Sequence, residues 1–405
     1  MHIKRGALAS VAAVAALLLG ACGGGGSDKG SDSGSDDVIK LGMIGPYSGT
    51  YGDIGPSIER GAQVAVDQLN ADGGVLGKKI ELVKVDDQGD PEKSAKAVYD
   101  LDSKDVNLTF GYAISPNCTS AAQAASRVKS LVMSASCSSE ALIEKGGLVS
   151  SFFRVAPSDN MYEYASGQLV ADEYSSVKTW NVLGPDYEVG HSLWDRFQQY
   201  TKEAGVDIKV HNEVFHPLDA SDLTPHITAV LKNVKPDEGL VILDSSSAMA
   251  NIIKQGKAYD LFGKFAVVLN QGSWLPQAYA LKKDVPEFWN VYKWASGAYD
   301  NALAASFEKD FAAKYPDVKI DDSNVNGYTA VRAYAAAIEK AGSADGEAVG
   351  KALVGLSFDS IEGKVTIGDN HQATFAMIAR HFKPDASAPD GFVIDKTVSL
   401  PSAPE

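Results

Sequence analysis

The chain has 405 residues, of which 45% are hydrophobic, 22% charged and 9% aromatic, and its formal net charge is -15. These proportions describe a globular protein long enough for two domains. So acidic a chain excludes nucleic-acid binding through a basic face, which needs clustered Lys and Arg, and is poorly suited to broad contact with anionic lipid.

At the N-terminus, Lys4 and Arg5 precede an apolar run from Ala7 to Leu19. A basic start, a short apolar segment and small residues before a cut site make a secretory signal peptide. The run falls short of the ~20 residues that a membrane span requires. The sequence Leu18-Leu19-Gly20-Ala21-Cys22 resembles a bacterial lipobox, which implies a signal peptide over 1–21 and a lipid-bearing Cys22. Residues 23–37 contain only Gly, Ser, Asp and one Lys. Such a segment buries nothing and reads, with Cys22, as a flexible linker over 22–37. The expectation is an extracytoplasmic protein held to the cell membrane by its lipid anchor alone.

From Val38 onward, strand and helix signals alternate. Ile39, Leu41 and Met43 predict a strand, and Ile58, Ala62, Ala65, Val66 and Leu69 recur at helical spacing within Ser57–Asn70. A turn rich in glycine leads to a strand over Ile80–Asp86, and Asp90-Pro91 marks a capped helix start. Asn107–Gly111, Leu131–Ala135 and Phe152–Val155 read as strands separated by helices. The pattern then repeats, with strands near Lys178–Leu183, Ile208–Val214, Leu240–Leu243 and Ala266–Leu269. Helices fall near Gly190–Glu203, Leu223–Val234 and Met249–Tyr259. Two successive sets of this kind predict two parallel sheets covered by helices. Lys364–Gly368 and Thr374–His381 read as late strands placed to pass between the domains.

Cys118 and Cys137 remain once Cys22 is set aside. An even pair outside the cytoplasm reads as a disulfide, with two separate buried thiols as the alternative. The seven histidines are scattered, with no HExxH motif and no Gly-x-Ser-x-Gly elbow, and His211, His216 and His226 read as surface residues. Asp36-Asp37, Asp86-Asp87 and Asp321-Asp322 read as turns or solvated segments. No enzyme is expected, and no cofactor or metal. There is no Walker-type loop, so any ATP hydrolysis must lie in a partner.

Several ordered segments carry a family resemblance. They are Ile39-Lys40-Leu41-Gly42, Ser48-Gly49, Gly61-Ala62, the run Leu69-Asn70-Ala71-Asp72-Gly73-Gly74-Val75-Leu76-Gly77-Lys78-Lys79, Asp86-Asp87, Asp90-Pro91, Phe153-Arg154-Val155 and Tyr187 to Gly190. From Val38 to about Lys383 the chain resembles the type I periplasmic binding proteins, in particular the leucine/isoleucine/valine and amide-binding branch that feeds ABC importers. The resemblance implies an α/β fold of two doubly wound, Rossmann-like lobes joined by three crossover strands. One lobe is expected over 38–157 and 298–363, the other over 158–297 and 364–405. It also implies a small-molecule ligand (amino acid, carboxylate or amide) in the cleft, and delivery to ABC permease subunits with a separate ATPase. The same module can serve instead as a ligand sensor for a receptor.

Ligands of open parallel sheets sit beyond the carboxyl ends of the strands. Ser115, Ser136 and Ser138 fall at such ends, where free N–H groups of helix starts and serine hydroxyls can receive a carboxylate. Matching positions in the amino-acid-binding relatives hold the ligand's carboxylate and ammonium. Ser138 is expected to open a helix near Glu140–Lys145. Tyr47, Tyr51, Tyr112, Tyr187 and Trp274 are candidate aromatic contacts, whereas Trp180 and Trp194 read as core. The relatives place an acidic residue where this chain has neutral Gln271, so either Asp186, Glu188 or Asp244 replaces it as partner for an ammonium or the ligand lacks an α-amino group. Val189 stands where relatives often carry tyrosine.

Overall fold

The computed structural model describes residues 38–49, 51–144, 149–272 and 275–403. The signal segment, Cys22, the linker and Trp274 lie outside the described residues. Among the described residues, no helix is long and apolar enough to cross a membrane.

The first sheet is built from β1 (Val38–Gly45), α1 (Ile54–Ala71), β2 (Lys79–Asp86), α2 (Pro91–Asp102), β3 (Leu108–Gly111), α3 (Ser115–Ala125), β4 (Leu131–Ser134) and β5 (Phe152–Arg154). Alternation in β1 buries Ile39, Leu41 and Met43 while leaving Lys40 exposed. Asp90 caps α2 by accepting the N–H groups of Glu92 and Lys93, with Pro91 at the first helical position, where no amide hydrogen is missed. The strands are parallel in the order β2-β1-β3-β4-β5.

The second sheet follows with α4 (Asp159–Glu173), β6 (Thr179–Pro185), α5 (Glu188–Glu203), β7 (Lys209–His216), α6 (Thr224–Val230), β8 (Gly239–Ile242), α7 (Ser246–Gly256), β9 (Val267–Gln271), α8 (Leu275–Leu281) and β10 (Phe288–Tyr292). Its parallel part runs β7-β6-β8-β9-β10, the order of the first sheet over again. The chain then returns through α9 (Ala302–Lys314), α10 (Asp322–Ala341) and α11 (Gly346–Leu353). A small antiparallel sheet of β11 (Ser357–Ser360), β12 (Gly363–Ile367) and β13 (Ala373–Thr374) comes next, and β14 (Met377–Pro384) and β15 (Phe392–Leu400) complete the second sheet.

The two late strands thus differ from expectation. Lys364–Gly368 falls in the small sheet, and the passage between sheets lies at 375–376, where the expected strand Thr374–His381 is interrupted. The other two passages lie after β5 and after β10. One apolar core runs through both large sheets and includes Trp180 and Trp194. A smaller one lies beneath α2 and α3.

The acidic pairs are the clearest correction. Asp321 and Asp322 are buried, not solvated. Asp321 caps α10 through the N–H groups of Ser323 and Asn324 and also takes the Ser57 hydroxyl. Burial raises its pKa to about 6. Asp322 pairs with the buried Arg380 at 2.7 Å. Asp87 is likewise buried and accepts from the Ser94 hydroxyl and the Asn117 amide. Each buried carboxylate thus has the hydrogen-bond or ion-pair partners that burial demands.

Candidate functional site

In each parallel sheet the strand order reverses direction beside the first strand, between β1 and β3 and again between β6 and β8. Loops diverging at such a switch point leave a crevice beyond the carboxyl ends of the strands. Here both crevices open on one cavity of about 790 Å³. The first sheet contributes Tyr51 after β1, Ala113 to Ser115 after β3, and Ser136 to Ser138 after β4. The second contributes Tyr187 after β6, His216 and Leu218 at the end of β7, Leu243 to Ser245 after β8, and Gln271 and Gly272 at the end of β9. Tyr162 from α4 and Tyr292 from β10 also border the cavity.

The structure therefore brings together Ser115, Ser136, Ser138, Tyr51, Tyr187, Asp244 and Gln271. Two of the expected residues are elsewhere. Tyr112 is fully buried. Its backbone is left-handed (φ 67°), and its ring packs in the core beneath α3 with its hydroxyl 2.8 Å from Thr109 Oγ1. Tyr47 packs against the main core, and its hydroxyl donates to Met43 Sδ at 2.8 Å. The helix expected at Glu140–Lys145 is a single 3₁₀ turn over Glu140–Leu142, capped by Ser139 and not Ser138.

The serine wall is ordered by its own hydrogen bonds. Ser136 Oγ donates to the Ala113 carbonyl at 2.9 Å, tying the loops after β3 and β4 together. Ser115 Oγ accepts the Ser139 N–H at 3.3 Å, which leaves its hydroxyl hydrogen available. A disulfide between Cys118, in the first turn of α3, and Cys137, in the loop after β4, ties the same two segments together. A crosslink closing a loop of this length contributes ~3 kcal/mol of stability.

The opposite wall carries the polar groups that sequence reasoning weighed separately. Asp244 is buried, and its carbonyl receives the Asn270 amide at 2.7 Å, which fixes the loop after β8 to β9. His216 is buried against it, with Nε2 3.0 Å from Asp244 Oδ2, contrary to its reading as a surface histidine. The only local signal was its place at the end of a strand. Gln271 donates from Nε2 to Glu163 Oε2 at 3.1 Å, while its buried Oε1 has no hydrogen-bond partner. Burial raises Glu163 well above the usual carboxylate range. The other two candidate acids are exposed, Asp186 beside His191 at 2.8 Å and Glu188 within 3.3 Å of the Ser139 hydroxyl. Tyr162 and Tyr292, with ring centroids 5.8 Å apart, were missed because neither stands in a loop after a strand of the expected kind.

Two like-ordered parallel sheets facing one cavity, with a hydroxyl wall on one side and a carboxylate wall on the other, are the architecture of a two-lobed solute receptor. The chain belongs to the periplasmic binding protein family, whose profile matches residues 38–387. It is 25% identical over 347 residues to the Leu/Ile/Val-binding protein BraC3 of Rhizobium johnstonii, covering 83% of this chain and 89% of that protein. Among solved structures, it resembles the amino acid ABC transporter substrate-binding protein of Pseudomonas fluorescens Pf-5. That match has a TM-score of 0.80 and 20% identity and covers 90% of this chain and 95% of the other. A solute-binding protein of Rhodopseudomonas palustris BisB5 in complex with 3,4-dihydroxybenzoic acid matches with a TM-score of 0.76 and 19% identity, over 91% and 99% of the two chains. These relatives are named for binding and transport, in keeping with the expectation that the chain is not an enzyme.

Proposed function

We propose that the protein is the extracytoplasmic solute-binding lipoprotein of an ABC importer and takes a branched-chain amino acid or a related small carboxylate or amide. The observation that carries this reading is the pairing, across one cavity, of serine hydroxyls at Ser115, Ser136 and Ser138 with the acceptors Asp244 and Gln271. The lobes are residues 38–157 with 298–375 and 158–297 with 376–405. A ligand that contacts both favours their closed arrangement, and a membrane permease with a separate ATPase then distinguishes closed from open.

A thermal-shift screen against branched-chain amino acids, aromatic acids and amides tests the assignment. A true ligand at ~100-fold its Kd adds ~2.7 kcal/mol of stability. With that ligand in hand, Ser115→Ala and Ser138→Ala are each expected to weaken binding by ~1–3 kcal/mol, the cost of an unpaired buried group. Calorimetry returning wild-type affinity for both variants would remove the serines from the site. The tether has its own test. Cys22→Ala is expected to shift the protein from the membrane to the soluble fraction, and its persistence in the membrane pellet would disprove lipid anchoring.

A further inference from the structure

His216 and Asp244 form a buried pair on the cavity wall, and the hydrogen-bond geometry fixes how many protons the pair holds. His216 Nδ1 lies 2.9 Å from the Pro217 carbonyl oxygen. A carbonyl can only accept, so Nδ1 carries a hydrogen. The other contact, Nε2 to Asp244 Oδ2 at 3.0 Å, joins two atoms that are both acceptors unless a proton lies between them. With that proton the pair is neutral as a whole, whichever of the two groups carries it.

We propose that Asp244 receives the cationic amino group of the ligand in place of the proton it shares with His216, so that binding releases a proton and favours amines over amine-free acids. This rests on the amino-ligand reading given above. The wall offers a second acceptor, since Gln271 borders the same cavity and its buried Oε1 is unpartnered. An ammonium seated there presents hydrogens to both. Asp244 would then face two cations, and like charges a few ångströms apart in a buried site destabilise one another. The ligand is held at its carboxylate end by the serine wall, so the cation that leaves Asp244 is the proton.

The groups that face His216 are few. Asp244 comes from the loop after β8, the Pro217 carbonyl from its own loop, and His226 from α6 with ring centroids 5.8 Å apart. Asp219 borders the same cavity. Asp186 gives its backbone N–H to the His216 carbonyl while its side chain is engaged by His191. Burial by itself lowers the pKa of His216, but the hydrogen bond and charge of Asp244 bring it above its ordinary value.

The experiment is calorimetry of isoleucine binding in two buffers of different ionisation enthalpy, such as phosphate and Tris, across the range in which histidine titrates. The expected result is release of up to one proton per ligand, with affinity rising by up to ~tenfold per pH unit. His216→Gln keeps a side-chain donor for Asp244 but cannot titrate, so it should bind without proton release and with a flat pH profile. Asp244→Asn should lose isoleucine affinity by at least ~tenfold, which by the usual conversion is ~1.4 kcal/mol. Isoleucine binding with no proton exchange in the wild type overturns the proposal and leaves the receptor reading standing. Binding of 3,4-dihydroxybenzoate alone, with no amino acid bound, overturns the proposal together with the amino-ligand reading.

Discussion

Lys293→Met is expected to destabilise the protein by ~3–5 kcal/mol, because it leaves a buried carboxylate without its cation. Lys293 and Glu362 have no exposed side-chain surface, and Nζ stands 2.6 Å from Glu362 Oε1. Burial lowers the lysine's pKa, and Glu362 opposes that shift. The ammonium also donates to the Val155 carbonyl at 3.0 Å and lies 4.5 Å from the centroid of the Phe375 ring. Removing it strands Glu362, whose remaining hydrogen-bond partner among the described residues is the Thr329 hydroxyl at 2.8 Å. The double variant Lys293→Met/Glu362→Leu should regain most of the loss, since apolar replacement of a whole buried pair is often neutral. Denaturant titrations of the three proteins decide the matter. A single variant within ~0.5 kcal/mol of wild type, the range of ordinary surface changes, would show that the pair contributes nothing.

Gly61→Val should cost ~3 kcal/mol or more, at the upper end of overpacking penalties. A β-carbon on Gly61 would stand 1.7 Å from the Asn324 carbonyl oxygen, and one on Gly327 would stand 2.0 Å from that of Ile58. Helices α1 and α10 therefore meet backbone to backbone, and no side-chain rotation can relieve the clash. The two glycines serve one contact, so Gly61→Val and Gly327→Val should combine less than additively. Thermal melts showing even Gly61→Ala unchanged in stability would mean that the helices are not so close.

Most of the fold could be read from the chain because its signals are local. The alternation of Ile39, Leu41 and Met43 and the Asp90-Pro91 helix start each depend on residues within one turn or strand. The serine loops followed from strand ends alone. What escaped was whatever depends on distant partners. Asp322 reads as solvated until Arg380, 58 residues on, is placed against it. His216 reads as a surface residue until the strand order brings Asp244 beside it from the end of β8, across the intervening β6. Tyr112 was misplaced for a different reason, a left-handed backbone that turns the ring inward and that no side-chain pattern announces.

The disulfide joins the first turn of α3 to the loop after β4, both on the serine side. That face of the cavity is cast before any solute arrives, whereas the opposing face is held by hydrogen bonds that single substitutions can rearrange. Under the proposed function, diversification toward new solutes would then proceed asymmetrically, with the crosslinked half kept as a constant anvil and selectivity rewritten at Asp244, His216 and Gln271.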